Sequence, residues 1–262
     1  MIAILNLSSC PPTQSSEQQA TQANRFSKSL HRPPPTKFTP TAAEKLEKLQ
    51  PDAIANPNVK VFEGGLNDTK VIRDCIKDTQ AVFLAVAVSG NVPGNTIAQD
   101  TARVVIAAMR ELRDTDTTIR LPKLVVLSAA PTQPEFTKDM PTLALNILLC
   151  AESNIYNDLI AAERLLRDEK DWLSVTFVKP GALTIDAQKG HKLTKQGPKG
   201  VVSFMDLAAA MVEVADAGEE FDWKAVSVDP IASDVAFPWQ NVPLLVKGLL
   251  YHFFPWMYAW LG

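Results

Sequence analysis

Cysteine is scarce in this 262-residue sequence, which holds only Cys10, Cys75 and Cys150. No two of them form a Cys-x-x-Cys pair, and three distant cysteines support neither a disulfide framework nor a zinc site. We therefore predict no metal site. The first residues also lack the basic start and the long apolar run of a secretory signal peptide. These features are typical of a reducing compartment, and we expect a cytoplasmic protein.

An excess of positive charge is absent as well. The chain carries 26 Lys and Arg against 29 Asp and Glu, which gives a net charge of −3. Binding to nucleic-acid phosphates requires clustered Lys and Arg side chains, and no stretch of this chain supplies such a cluster. The composition therefore argues against nucleic acid as the main partner and leaves a small molecule as the expected one.

The sequence has no uninterrupted apolar run long enough for a straight membrane-spanning helix. The most apolar segment, Phe237 to Gly262, contains eight aromatic residues but is interrupted by Pro243 and Pro255. Two interpretations stay open. The segment could form an interfacial helix that makes a peripheral membrane contact. Alternatively, it could form a lobe that packs over a substrate cleft or against the second subunit of a homodimer.

Short apolar runs alternate with longer helical patterns along the middle of the chain. This alternation is typical of parallel βαβ units, and strands without polar alternation indicate a sheet covered on both faces. The predicted fold is therefore a doubly wound α/β fold, with a mostly parallel Rossmann-type sheet, helices on both faces and a small C-terminal substrate lobe. The predicted strands are 59–62, 81–88, 123–128, 173–178 and 225–228, and the predicted helices are 69–77, 96–112, 156–167 and 204–215.

Three regions follow from this pattern. Residues 1–40 form an altered first βα unit, with a first strand at 1–5 followed by a partly irregular stretch rich in Gln, Ser, Thr and Pro. Residues 41–236 form the Rossmann-type domain. Residues 237–262 are the aromatic C-terminal segment.

Glycine is missing from the turn after the first strand. A dinucleotide-binding turn needs glycines where the backbone approaches the pyrophosphate, yet the first glycine in the chain is Gly64. The turn contains Pro11 and Pro12, which lack amide donors. Three explanations stay open: a decayed cofactor site in a binding protein, a cofactor held by another geometry, or a start of the chain that differs from the native one.

Most of the sequence from Arg32 onward resembles the atypical short-chain dehydrogenases of the NmrA-like group. Within that group it is most similar to fungal averufin-oxidase-like proteins of aromatic polyketide pathways. The order and spacing of several segments carry the resemblance: HRPPPTKF, NPNVKVFEGGLND, AVFLAVAVSGNVPGNTIAQDTARVVIAAM, PKLVVLSAAP, YNDLIAAERLL and DWLSVTFVKPGAL.

The resemblance implies binding of NADP, with NAD as an alternative. Basic residues after the second strand would grip a 2′-phosphate. Residues after the third strand would lie beside the adenine ring. Residues at the end of the fourth strand would also contact the cofactor, and those after the last parallel strand would run along the carboxamide of the nicotinamide. The implied cofactor-binding residues are Arg32, Lys37, Gly65, Leu66, Ala87, Val88, Ser89, Pro180, Gly181 and Leu183.

Two residues are implied as catalytic. Ser128 ends a strand at the position that family members use beside the nicotinamide. Tyr156 occupies the place of the tyrosine in the Tyr-x-x-x-Lys motif of the classical enzymes, but the lysine position is Ile160. Without a nearby cation, a phenol with a pKa near 10 is a poor proton donor. Tyr156 is therefore expected to orient the substrate by hydrogen bonding.

The leading functional hypothesis is an NAD(P)-dependent oxidoreductase acting on a hydrophobic, aromatic polyketide-like small molecule. The lost lysine favours a second hypothesis, a non-catalytic module that senses the cofactor or binds another protein. A third is a cofactor-free cyclase or isomerase that uses the same pocket. Turnover of a carbonyl or quinone substrate would distinguish the first from the second, and ligand binding without nicotinamide would indicate the third.

Overall fold

A computed structural model describes the backbone of residues 2–5, 36–38, 58–62, 65, 68–86, 88, 90–236 and 238–261. Of the region 1–40, only two strands belong to these described residues. The turn after the first strand, where the glycines are missing, lies outside them.

Ten strands and seven α-helices are described. The strands are β1 (Ile2–Leu5), β2 (Thr36–Phe38), β3 (Val59–Val61), β4 (Ala81–Leu84), β5 (Lys123–Leu127), β6 (Val175–Val178), β7 (Leu183–Thr184), β8 (His191–Thr194), β9 (Val202–Ser203) and β10 (Ala225–Pro230). The helices are α1 (Thr69–Ile76), α2 (Ile97–Thr115), α3 (Thr142–Ala151), α4 (Ser153–Arg167), α5 (Phe204–Asp216), α6 (Val242–Phe253) and α7 (Tyr258–Leu261).

Eight of the strands form one sheet in the order β3-β2-β1-β4-β5-β6-β10-β8. All neighbours are parallel except β8, which pairs antiparallel with β10 at the edge. The order 3-2-1-4-5-6 is that of the dinucleotide-binding Rossmann fold, and the strand order reverses between β1 and β4. The predicted doubly wound α/β fold is confirmed.

Helices cover the sheet on both faces. Successive residues of the central strands point to opposite sides, so they contact different layers. Val82, Leu124 and Phe177 belong to one buried apolar cluster, which includes side chains of α1, α2 and α4. Their neighbours in sequence belong to a second cluster with α5, namely Phe83, Val125 and Val178. This arrangement explains why the strands are apolar throughout rather than alternating.

Two helices begin at the residues predicted from the sequence, and each is preceded by a side-chain cap. The Asp68 carboxylate accepts a hydrogen bond from the Val71 amide at the start of α1. The Ser203 hydroxyl accepts one from the Asp206 amide at the start of α5. Each cap satisfies an amide that has no partner within its helix.

The C-terminal segment packs onto α3, a helix that the sequence pattern did not predict. At Gly248 in α6, an added Cβ would stand 2.0 Å from the carbonyl oxygen of Ala151. Only glycine permits this approach, so Gly248 determines how closely α6 lies against the end of α3. No described helix combines the length and the apolar character needed to cross a bilayer.

Candidate active site

The candidate site lies at the carboxyl ends of β4, β5 and β6. Ligands of open α/β sheets bind at this edge, near the point where the strand order reverses. Ser128 follows the last residue of β5, and Lys179 follows the last residue of β6. The parallel pairing of these two strands brings Ser128 and Lys179 to the same edge.

Ser128 is held by a carboxylate from α4. Its hydroxyl donates a hydrogen bond to Oε1 of Glu163 over 2.6 Å, and both side chains are buried. Because the serine proton points at Glu163, the lone pairs of Ser128 Oγ are the part of the hydroxyl that can accept a proton from a ligand. The arrangement suits a residue that binds a hydroxyl or takes a proton from it.

Lys179 neutralises this carboxylate. Its ammonium nitrogen lies 2.8 Å from Glu163 and 2.8 Å from Oγ1 of Thr132, to which it donates. The side chain is fully buried. Burial lowers the pKa of Lys179, while the charge of Glu163 acts in the opposite direction. Ser128, Thr132, Glu163 and Lys179 thus form one connected polar cluster, which we call the Ser–Glu–Lys cluster.

Tyr156 lies on the same face of α4 as Glu163, but at a distance from Ser128. The two residues of α4 are seven positions apart, which is two turns or about 10 Å along the helix axis. Tyr156 is buried, and burial together with the charge of Glu152 raises the pKa of its phenol. These two influences make the phenol a still weaker acid, which supports a hydrogen-bonding role in place of proton transfer.

Glu152 lies one turn before Tyr156 and was not identified from the sequence. Burial raises the pKa of its carboxyl to about 7. A pKa near neutrality is the property of an acid–base group, but Glu152 lies about three turns before Glu163. The signal in the sequence was a single acidic residue at the junction of two helices, which is no more specific than many other positions.

The raised pKa of Glu152 makes stability depend on pH. The folded protein holds the Glu152 proton more tightly than the unfolded chain, so this contribution to the free energy of unfolding is present below pH 4.5. It is lost as the pH rises to about 7. We expect Glu152→Gln to raise the free energy of unfolding by about 1–2 kcal/mol at pH 8 and to change it little at pH 4.5.

Urea unfolding at the two pH values measures this difference. The exposed residue Glu219 offers a matched control, because Glu219→Gln should behave alike at both pH values. Equal effects of Glu152→Gln at pH 4.5 and pH 8 would contradict the assignment.

Asp158 has a structural role in the same helix. Its carboxylate accepts hydrogen bonds from the amides of Ala98 and Gln99, and from the side chains of Asn95 and Gln99, over 2.8–3.1 Å. It therefore caps the first turn of α2 from a neighbouring helix. Because its carboxylate already occupies these amides, the start of α2 is not an open anion-binding site.

The loop after β4 combines open glycines with a buried anchor. Gly90 and Gly94 have φ angles of +81° and +73°, and an added Cβ at either would meet no atom within 4 Å. Between them, the buried Asn91 donates hydrogen bonds to the carbonyls of Cys150 and Gly248. The loop is thus fixed to the C-terminal helices while its glycines leave room for a ligand. Val88 lies half-buried in this loop, and Ala87 and Ser89 lie outside the described residues.

The segment after β6 is packed against protein. The carbonyl of the buried Pro180 accepts a hydrogen bond from the Ala130 amide over 3.0 Å. A Cβ on Gly181 would stand 3.0 Å from Cγ of Pro198, so Gly181 permits a close contact within the chain. Leu183 is half-buried in β7. The three residues adjoin the site edge, and their contact with a cofactor stays a prediction.

The remaining predicted cofactor residues lie on the β2–β3 side of the sheet. Lys37 is the middle residue of β2, so it lies within this strand, whereas the family resemblance implied a position after the strand. Gly65 is exposed, and its carbonyl accepts a hydrogen bond from the Asp68 amide. Arg32 and Leu66 lie outside the described residues.

The enclosed space beside the Ser–Glu–Lys cluster is small. A cavity of about 20 Å³ lies between β4, β5, α2 and α4, with Ser128 and Glu163 in its otherwise largely apolar wall. It has room for about one water molecule, so a substrate must bind at the open edge of the sheet. Among the described residues, no group of three or more His, Cys, Asp or Glu side chains could hold a metal ion.

The described side of the site fits part of a dinucleotide. The strand order creates the crevice, the left-handed glycines of the β4 loop leave it open, and Ser128 supplies a hydroxyl at its edge. Glu163, Lys179 and Thr132 were missed as members of the site by the sequence analysis. One signal was available for Lys179, which is a lone charge after the apolar strand VTFV.

Comparisons with known proteins agree with this architecture. Residues 36–217 match a family described as NAD(P)H-binding. The chain is 49% identical to oxidoreductase ordB of Dothistroma septosporum over 84% of its own length and 82% of that protein. It is 46% identical to oxidoreductase stcQ of Emericella nidulans and 44% identical to oxidoreductase aflX of Aspergillus parasiticus. These two alignments each cover 84% of this chain and 80% and 83% of the relatives.

Solved structures share the fold at low sequence identity. A short-chain dehydrogenase/reductase of Veillonella parvula in complex with NADP superposes with a TM-score of 0.59 and 16% identity, covering 90% of this chain and 98% of that one. Gre2 of Candida albicans in complex with NADPH gives a TM-score of 0.53 and 12% identity over 86% and 78%. The resemblance to atypical short-chain dehydrogenases is confirmed. The chain belongs to the NAD(P)H-binding family of Rossmann-fold proteins that includes these fungal oxidoreductases.

Proposed function

We propose that this protein is an NAD(P)-dependent oxidoreductase that acts on a hydroxyl or carbonyl group of a hydrophobic, aromatic polyketide-like molecule. The observation that carries the proposal is the Ser128 hydroxyl, which is held by Glu163 at the carboxyl edge of the sheet. Such a hydroxyl is suited to bind the oxygen atom whose carbon is oxidised or reduced. The named oxidoreductases among the relatives support the reaction class.

The residues of the chain would manage the proton of the reacting oxygen. A substrate hydroxyl would give its proton to Ser128 Oγ while Ser128 passes its own proton to Oε1 of Glu163. The 2.6 Å hydrogen bond between the two side chains already runs in this direction. Lys179 would balance the charge of Glu163 until this carboxylate takes up the proton. The bound nicotinamide supplies the hydride chemistry that accompanies this transfer.

Tyr156 and Glu152 would bind a more distant part of the substrate. Tyr156 lies in the first turn of α4 and Glu152 directly precedes the helix, about two and three turns from Glu163. The half-buried Leu159 and Ile160 stand between them and Glu163 on this helix. An extended apolar ligand with a polar group at each end would match this spacing, which favours a polycyclic aromatic substrate.

The phosphorylated cofactor is the expected one. The basic residue Arg32 precedes β2 in the sequence, and Lys37 lies within this strand. Residues near this strand distinguish NADP from NAD in this fold. Their charges would favour a 2′-phosphate. The other predicted cofactor-binding residues would line the crevice around the remainder of the dinucleotide. They are Gly65, Leu66, Ala87, Val88, Ser89, Pro180, Gly181 and Leu183.

Turnover assays test the proposal. The purified protein would be incubated with NADPH or NADP⁺ and a panel of anthraquinones, anthrones and short aliphatic ketones, with absorbance at 340 nm as the readout. We expect turnover with polycyclic aromatic compounds and little with the aliphatic ones. Cofactor binding without turnover of any compound would contradict the enzyme proposal and indicate a cofactor-sensing module. Ligand conversion without nicotinamide would indicate a cyclase or isomerase.

A further inference from the structure

Apolar side chains on the surface are concentrated in one part of the molecule. Of the large apolar side chains that are exposed among the described residues, all but Ile231 lie between Met140 and Leu149 or between Trp239 and Trp260. We call this surface, formed by residues 140–149 and 239–260, the apolar lobe. Solvent-exposed apolar area of this kind on one side of a protein marks an interaction surface.

The exposed side chains of α3 and the turn before it form a stripe. Leu143 and Ile147 are four residues apart and share one face of the helix, and the exposed Met140 precedes the helix. Leu143 is 74% exposed. Only Ala151 of this helix is buried, although the helix contains no charged residue. A helix with this composition gains little from folding against the protein alone, so its stripe needs an apolar environment outside it.

A second stripe runs along α6. Val242, Val246, Leu250 and Phe253 follow a spacing of four, four and three residues and are all exposed. The opposite side of the helix is buried through Gly248 and Tyr251. The helix has twelve residues and is about 18 Å long, which is too short to cross a hydrocarbon core of about 30 Å. It can therefore lie along an apolar surface but cannot span one.

Tryptophans stand at both ends of this helix. Trp239 precedes α6 and is 72% exposed, while Trp256 and Trp260 follow it and are 66% and 82% exposed. Tryptophan prefers the boundary between lipid headgroups and acyl chains. A helix that lies in the plane of a membrane has both ends at this depth, so tryptophans at both ends are the pattern that an in-plane orientation requires.

The charges of the lobe distinguish a lipid surface from a second copy of the chain. The segments 140–151 and 238–261 contain no Asp or Glu, and their only basic side chains are Lys247 and His252, whose Nδ1 lies 2.8 Å from the Ser153 hydroxyl oxygen. In a symmetric dimer the same patch meets itself, so the Lys247 ammonium would face a surface whose nearest carboxylates in sequence, Asp139 and Glu152, lie only at its margin. An anionic lipid headgroup supplies the opposite charge.

We infer that the apolar lobe binds the surface of an anionic membrane, with α6 lying in the interfacial plane and its tryptophans at headgroup depth. Asn91 joins this lobe to the loop after β4 through its hydrogen bond to the Gly248 carbonyl. The lobe therefore adjoins the edge of the candidate site, where a hydrophobic ligand dissolved in the membrane would be close to hand. The inference rests on the surface alone and does not depend on the proposed catalysis.

Vesicle flotation tests the inference. The protein would be mixed with vesicles of phosphatidylcholine, with and without phosphatidylserine, and the bound fraction measured after flotation. We expect binding that increases with phosphatidylserine, together with a blue shift of tryptophan emission. The double substitution Trp256→Ser/Trp260→Ser should weaken binding by at least about tenfold, which corresponds to about 1.4 kcal/mol. Because both side chains are exposed, circular dichroism should show an unchanged fold.

The chain offers a matched control for this experiment. Ile231 is an exposed apolar residue outside the lobe, so Ile231→Ser should leave vesicle binding unchanged. Absence of binding to both kinds of vesicle would overturn the inference, and equal binding to both would contradict the role of the Lys247 charge. The inference would also be overturned if the protein did not bind vesicles and instead formed a concentration-dependent dimer that the double substitution dissociates.

Discussion

Replacing Lys179 with methionine is expected to lower the free energy of unfolding by about 3–5 kcal/mol. Methionine fills a similar volume, but it leaves the buried carboxylate of Glu163 without its positive partner. The charge loses its hydration on folding, and the remaining hydrogen bonds from the Ser128 and Thr132 hydroxyls do not replace the lost positive partner. The loss is a large part of the stability of an ordinary domain, which is about 5–15 kcal/mol.

Equilibrium unfolding in urea measures this effect, and a double substitution isolates its cause. In Lys179→Met/Glu163→Leu both charges are gone, so we expect most of the lost stability to return. The exposed residue Lys70 supplies the control, because Lys70→Met should change the free energy of unfolding by less than about 0.5 kcal/mol. If Lys179→Met were as mild as the control, the ion pair would not be buried as described.

Replacing Ser128 with alanine is expected to lower kcat by about 100-fold, with a much smaller change in KM. The hydroxyl is the group of the Ser–Glu–Lys cluster that is placed to contact the reacting oxygen, and proton transfer by such a group contributes about 10²–10⁴-fold to a rate. Tyr156→Phe should lower kcat by less than about tenfold, because the raised pKa of this phenol makes it a poor proton donor.

Steady-state kinetics with NADPH and an aromatic substrate give both values. Ser174 lies just before β6, at the opposite edge of the sheet, so Ser174→Ala is a matched control that should retain full activity. A larger loss from Tyr156→Phe than from Ser128→Ala would reverse the roles assigned to the two residues. In that case the reacting oxygen would lie near the start of α4.

The fold could be predicted from the sequence because its central strands are buried on both faces. Runs such as AVFL and VTFV are apolar throughout because helices cover both faces of the sheet. Such a run can be recognised in the sequence without knowing which residues pack against it. The same pattern overestimated the strand 81–88, which ends at Leu84 because the chain turns toward the loop of Gly90 and Asn91. The short strand β2 gave no comparable signal, since Thr36–Phe38 follows three prolines.

The candidate site was predicted only in part. Ser128 could be identified because it ends an apolar strand, but its partner Glu163 is 35 residues away on a helix. The pairing of Glu163 with Lys179 depends on how α4 packs against the end of β6, which no local pattern specifies. Helix α3 was missed for a related reason: TLALNILLCA is apolar around its circumference and shows no helical periodicity to recognise.

Calorimetric titration of the purified chain with NADPH and with NADH, at matched salt, decides whether this protein binds a nicotinamide cofactor. An oxidoreductase with the site described here must bind a nicotinamide cofactor, although the turn after β1 lacks glycine. We predict binding of NADPH with a Kd in the micromolar range, about −8 kcal/mol at 1 μM, and weaker binding of NADH. Absence of heat from either cofactor at about 1 mM would contradict the account, because a Kd above that value corresponds to less than about 4 kcal/mol of binding free energy.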